Sequence, residues 1–417
     1  MRTRFLGLFL FVLVVCPGPS HAEIGVLDNV PAATLLLPYF EVDLNNPNGV
    51  TTLFSVTAAN PTAHLVHVTL WSDMGIPTQT FNIYLTGFDT QAVNLRDIFN
   101  GVFPVSASAG QDPGDNISPH GDISQDINFA SCNGQLPYPI PALTPGQLSD
   151  LRNSHTGLPS IQTGGRCVGR NLGDNIARGY VTIDTVNNCT LQFPSDPGYF
   201  IPGGAGDATN QNALWGDYFL INPGQNFAQG ESLVALEASA TSFVPGDYTF
   251  YGRLVAGTAA DNREPLATNW AAPYVQRGVS ATNTDLLVWR DSTVPPFGAA
   301  GPFLCFFPGP SFFPLNQTDV VAFDSEENPT DVASASTPFP GVAGRVRVGG
   351  PDLPEVFSRS GWMYLNLNTA VPGGQVPPPT SQSYVTVIHS AEGRFSGGHS
   401  GIPLDDANNP NLPPILP

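Results

Sequence analysis

His64 and His67 are the histidines placed closest to act together, three residues apart. Val66, Val68 and Leu70 alternate around them with Leu65, His67, Thr69 and Trp71. That is the period of a strand, so the two imidazoles point to opposite faces and cannot share a metal. Paired carboxyls come next, because glycoside hydrolysis needs two of them about 5–10 Å apart. Glu231 and Glu237 read as one strand face, but six residues at ~3.3 Å each separate them by ~20 Å. Either one needs a partner from another strand, such as Asp184 or Asp217. Asp112, Asp115, Asn116, Asp122 and Asp126 crowd one glycine-bearing loop. Hard oxygen donors on such a loop could hold calcium, the alternative being a solvated polar loop, and no other metal or cofactor is expected. Asp43 to Gly49 begins like an EF-hand loop, but Pro47 takes the fifth ligand position and the glycine comes one place late.

Aromatic rings offer a different chemistry, stacking on sugars or seating a partner. Phe303, Phe306, Phe307, Phe312 and Phe313 surround Cys305, where a disulfide would pack inside, so a core role is expected for them. Trp215, Tyr218 and Phe219 form a second group. Trp71, on the face opposite Val66, and Trp362 are the stronger candidates for an exposed binding surface. The expected partner is a surface glycan or another surface protein.

Two short pieces resemble trypsin-like serine proteases. Thr62-Ala63-His64 resembles the sequence around that family's histidine, and Gly398-His399-Ser400-Gly401-Ile402-Pro403 that around its serine, in the same chain order. The resemblance implies an imidazole that takes the serine proton and backbone amides that hold the oxyanion. His399 stands where the family has aspartate, and the pieces lie much farther apart than in such a domain, so no catalytic residue is assigned. A lipase-type elbow is absent, because Ile402 occupies the place of its second glycine.

The N-terminus reads as an address. Arg2 and Arg4 precede an apolar run over 5–15, Pro17-Gly18-Pro19 breaks it, and Ser20-His21-Ala22 supplies small residues for cleavage after Ala22. The run is shorter than the ~20 apolar residues of a transmembrane helix, and no second span follows. A secreted, periplasmic or extracellular location is expected. Four cysteines remain after cleavage: Cys132, Cys167, Cys189 and Cys305. An even number in an exported chain implies two disulfides, and the expected pairing is Cys132–Cys167 with Cys189–Cys305.

The net charge is −19 and no lysine occurs among the 15 basic residues. Such acidity repels phosphate backbones and argues against nucleic-acid partners. Without lysine there is no Schiff-base chemistry and no Walker-type loop.

These side chains must be held by strands. Over 51–99 the chain alternates with period two between turn-forming clusters, the pattern of an antiparallel meander with one face on a core. With 43 glycines and 42 prolines in 417 residues, many short strands joined by turns are expected. Further strands are predicted over 32–43, 179–185, 216–222, 232–238, 247–254, 285–290, 302–307, 319–323, 361–368 and 383–389. Pro38 implies an edge or a bulge in the first of these. One helical turn is predicted over 94–99, and Thr144, Pro145 and Gln147 predict a capped helix over 144–151.

The expected fold class is therefore all-β: an antiparallel β-sandwich, immunoglobulin-like or jelly-roll-like, with a long loop-rich insertion, forming one sandwich or two β-domains. The expected organisation is a signal peptide over 1–22, a β-meander over 23–100 and a disulfide-pinned insertion over 101–178. A second strand group follows over 179–390, then a Gly/Pro-rich extended tail over 391–417. The expected function is that of an exported, bacterial-type structural or binding protein, non-catalytic. The alternative is a secreted hydrolase of polysaccharide or peptide with a loop-assembled site.

Overall fold

The computed structural model describes residues 30–107, 125–276, 282–292, 302–305, 319–332, 341–350, 353, 358–367, 381–391 and 393–404. The expected leader, four of the calcium candidates (Asp112, Asp115, Asn116 and Asp122) and Phe306, Phe307, Phe312 and Phe313 lie outside the described residues.

Strands come where apolar and β-branched residues recur between turns. They are β1 (Thr34–Asp43), β2 (Thr51–Ala58), β3 (His64–Ser72), β4 (Pro77–Leu85) and β5 (Thr90–Asn94), followed by the one-turn helix α1 (Leu95–Phe99). The chain continues through β6 (Val105–Ser106), β7 (Tyr138–Pro139), helix α2 (Pro145–Thr156), β8 (Ile176–Val186), β9 (Leu214–Asn222), β10 (Phe227–Ser232) and β11 (Val234–Leu236). Then come β12 (Asn269–Val275), β13 (Thr282–Ser292), β14 (Asp319–Asp324), β15 (Pro329–Asp331) and β16 (Ala343–Arg347). The last are β17 (Ser360–Asn366), β18 (Ser381–Ala391), β19 (Phe395–Ser400) and β20 (Ile402–Pro403).

All named strands pair antiparallel, so the protein is all-β. The first sheet runs β11-β1-β8-β3-β4 and the second β10-β9-β2-β5. Strands β8 to β11 thus return to sheets begun by β1 to β5. The third sheet, β16-β13-β18-β19, and the fourth, β15-β14-β17-β12-β20, are built wholly from later residues.

Two apolar clusters order these layers. One joins the inner faces of the first and second sheets through Leu37, Phe40, Phe54, Val66, Val68 and Ile183. The other joins the opposite face of the first sheet, through Leu36, Tyr39, Trp71 and Tyr180, to the third and fourth sheets through Trp289, Val288, Trp270 and Met363. Strands β1, β3 and β8 of the first sheet and β13 and β18 of the third are therefore covered on both faces, and β3 is buried from end to end.

This overturns two readings. Strand β3 keeps no face in water, although β2 alternates as expected, and Trp71 is no surface residue: it is 1 % exposed, stacks on Tyr180 at 5.5 Å and donates Nε1 to Thr182 Oγ1 at 2.9 Å. The physical cause is the third sheet, which covers the face that local alternation assigns to solvent. Burying a tryptophan removes about 200 Å² from water, worth about 5 kcal/mol before entropy is counted.

Local signals fare better. Register slips between Leu37 and Phe40, so Pro38 makes a bulge rather than an edge. Thr144 and Gln147 form the capping box, and α2 runs on to Thr156, where Gly157 adopts φ 70° and closes it. Asn94 caps α1 through Arg96 N. Residues 247–254, predicted as a strand, form turns. Thr249 Oγ1 and Tyr251 N donate to Asp261 at 2.6 and 2.8 Å, taking the place of a ladder partner. The predicted strand over 302–307 is reduced, within the described residues, to a bridge between Phe303 and Cys167.

The disulfides are Cys132–Cys189 and Cys167–Cys305, correcting the expected pairing. Sequence proximity misled here. Loop 187–193 packs beside β4, where Thr80 and Asn82 hold its carbonyls, and this brings Cys189 to Cys132.

Candidate functional site

Charged side chains concentrate where the first sheet meets the third. On β1, Glu41 accepts from Tyr39 Oη at 2.8 Å and from Arg345 Nη1 at 3.2 Å. Arg345 also holds Asp285, which receives Arg347 Nε at 2.9 Å. Asp73 takes Arg170 Nε at 2.6 Å, and Asp291 takes Arg253 Nε at 2.7 Å. Burial alone would push the Asp285 carboxyl up, but the two guanidiniums hold it below its ordinary value. Burial raises Asp291 despite Arg253. A fully buried cluster lies alongside: Asp184 accepts from Tyr199 and Tyr251 at 2.8 and 3.0 Å, with Arg263 at 3.7 Å.

Trp71, Tyr180, Phe250, Arg253, Trp289 and Asp291 line a cavity at this junction. Its interior of about 10 Å³ has room for a single water centre. The arrangement can order a water and bind two layers together. It is too small for a sugar or a peptide.

Three of the described histidines, His64, His67 and His155, are buried. Burial lowers His67, which hydrogen-bonds Asn82 Oδ1 and Gln192 O at 3.0 Å each. Burial also lowers His64, whose Nε2 lies 2.9 Å from Asn60 Oδ1. His64 stands in the first sheet and Ser400 in the third, so the two pieces that resemble a protease lie on strands of different sheets. His155, which sequence analysis did not single out, is pushed down to about 4 by burial between Thr78 and Arg178 O.

Glu231 and Glu237 do not share a strand, because the chain passes from the second sheet to the first at Leu233. Glu231 is half-buried near His399, and burial raises its carboxyl. Asp217, its suggested partner, instead faces solvent on β9. Asp126, the one calcium candidate among the described residues, is half-buried with Oδ1 unpaired. Among the described residues no group of three or more His, Cys, Asp or Glu is placed to hold a metal.

Aromatic surface exists, but elsewhere than on Trp71. Trp362 is half-buried on β17 and stacks on its cross-strand neighbour Phe323 at 4.3 Å. The more open face belongs to the second sheet, whose other side carries the core. There Trp215 and Phe219 are 45 % and 49 % exposed, while Tyr218 between them is fully buried. Trp215 pairs with Thr57, Asp217 with Ser55, and Phe219 with Leu53 on one side and Gly230 on the other. Thr57 and Thr90 exchange a hydrogen bond of 2.9 Å across the next strand pair. Phe219 lies over Gly230, where an added Cβ would come within 2.5 Å of the ring, so the glycine is what lets the ring lie down. The spacing of Trp215 and Phe219, an even number of places apart in a β-strand, already put them on one face. What sequence could not say was that, among the described residues, nothing covers this face. Compared with known proteins, the chain matches no family model, no curated protein and no solved structure.

Proposed function

We propose that this is a non-catalytic, extracytoplasmic structural or binding protein. One observation carries the reading: the carboxylates at the junction, Glu41, Asp73, Asp285 and Asp291, are each held by an arginine. Such groups fasten layers and do not stand ready to move protons. Two disulfides that join loop segments far apart in sequence fit an oxidising compartment, and among the described residues no helix is long and apolar enough to cross a membrane. The exposed rings Trp215 and Phe219 supply a surface for a partner, a glycan or another surface protein.

The test is an activity screen of the purified, processed protein on polysaccharides and peptides, together with fractionation of cells that make it. The reading expects export and no turnover. A hydrolase activity that vanishes when one Asp, Glu, Ser or His is changed sinks it.

A further inference from the structure

We infer that the open face of the second sheet is a binding platform for a neutral polysaccharide chain, a step that rests on the non-catalytic binding reading above. Trp215 and Phe219 lie four residues apart on β9, which sets them ~13 Å apart along one strand, the reach of a short oligosaccharide. Phe219 is laid down on Gly230, which keeps one side of its ring toward water. An aromatic ring so held is pre-organised to meet the C–H face of a pyranose, and little ordering cost remains to be met on binding.

The surroundings choose the ligand class. Beside the rings stand Thr57, Thr90 and Ser55, short neutral hydroxyl side chains at the height of the sheet. They match the ring hydroxyls of a sugar. The protein's net charge of −19 and the outward Asp217 on the same face oppose a polyanion.

Pull-down of the full processed protein on cellulose, chitin, xylan and mannan tests the inference, with an acidic polysaccharide alongside. Retention is expected on at least one neutral polymer, unaffected by added salt because no ion pair is involved. Trp215→Ala and Phe219→Ala should each weaken it by roughly tenfold, with melting temperature unchanged. Gly230→Val keeps both rings but lifts Phe219, and should also weaken retention. Absence of retention on all four neutral polymers overturns the platform, and so does retention that both alanine variants keep at the parent's level or that is found on the acidic polymer alone. Those outcomes leave the non-catalytic reading standing. Release of reducing ends from a retained polymer would instead remove that reading and leave the platform in place.

Discussion

Arg345 on β16 reaches Glu41 on β1, Nη1 to Oε2 at 3.2 Å, and so bridges the third sheet to the first. It also donates to Asp285 on its own sheet, which is 1 % exposed. One guanidinium, itself 24 % exposed, thus neutralises buried carboxylates on both sides of the junction. Removing Asp285 leaves Arg345 with Glu41 as its remaining carboxylate partner and Arg347 with a guanidinium only partly in water, and breaking such a buried pair costs more than the pair contributes.

Asp285→Asn should therefore destabilise the protein by about 3 kcal/mol, read as a lower urea midpoint at neutral pH. The Asp285 carboxyl sits below its ordinary value in the folded protein. Its contribution is complete above the unfolded value near 4 and is lost as pH falls through the folded one. The variant should consequently lose stability less steeply than the parent on acidification below about pH 4.

His155 acts in a higher pH window. Folded, it is pushed down to about 4 by burial, whereas unfolded it titrates near 6.5. The unfolded state then binds the proton first, so stability is complete above about pH 6.5 and falls as pH drops toward 4. At pH 5 the loss from this one residue is about 2 kcal/mol. His155→Gln should remove that much of the difference between urea unfolding at pH 7 and pH 5. An unchanged slope would mean the imidazole is protonated inside the fold.

Two tryptophans should answer the same substitution in opposite ways. Trp71→Ala opens a void between two sheets and should cost about 3–5 kcal/mol. Trp215→Ala, on the open face, should change stability by no more than about 0.5 kcal/mol. Thermal unfolding of the two variants side by side decides the matter.

Peptide mapping without reductant should recover Cys132 joined to Cys189 and Cys167 joined to Cys305. The second bond spans 138 residues and ties the segment after α2 to one that follows β13. Replacing both its cysteines with serine should cost roughly 2–5 kcal/mol, measured by denaturant unfolding.

Much of the local structure was legible from residue order alone. Alternation placed β2, β3, β4 and β9, Pro38 marked the bulge, and Thr144 with Gln147 marked the start of α2. These signals act over a few residues, through backbone angles and nearby hydrogen bonds, so neighbours in sequence suffice to set them. Residues 247–254 were misread because an aspartate ten places on supplies the hydrogen bonds that a strand would take from a neighbouring ladder.

Sequence by itself determined that the chain is built of antiparallel strands, and that Trp71 and Trp215 each occupy one side of a strand. Tertiary structure alone decided which sides meet water. The third sheet closes over Trp71, while nothing described closes over Trp215 and Phe219. The same packing brought Glu41 to Arg345 and Cys167 to Cys305. A pleated strand has two faces of equal standing, and only the arrival of another layer, from residues far along the chain, makes one of them interior.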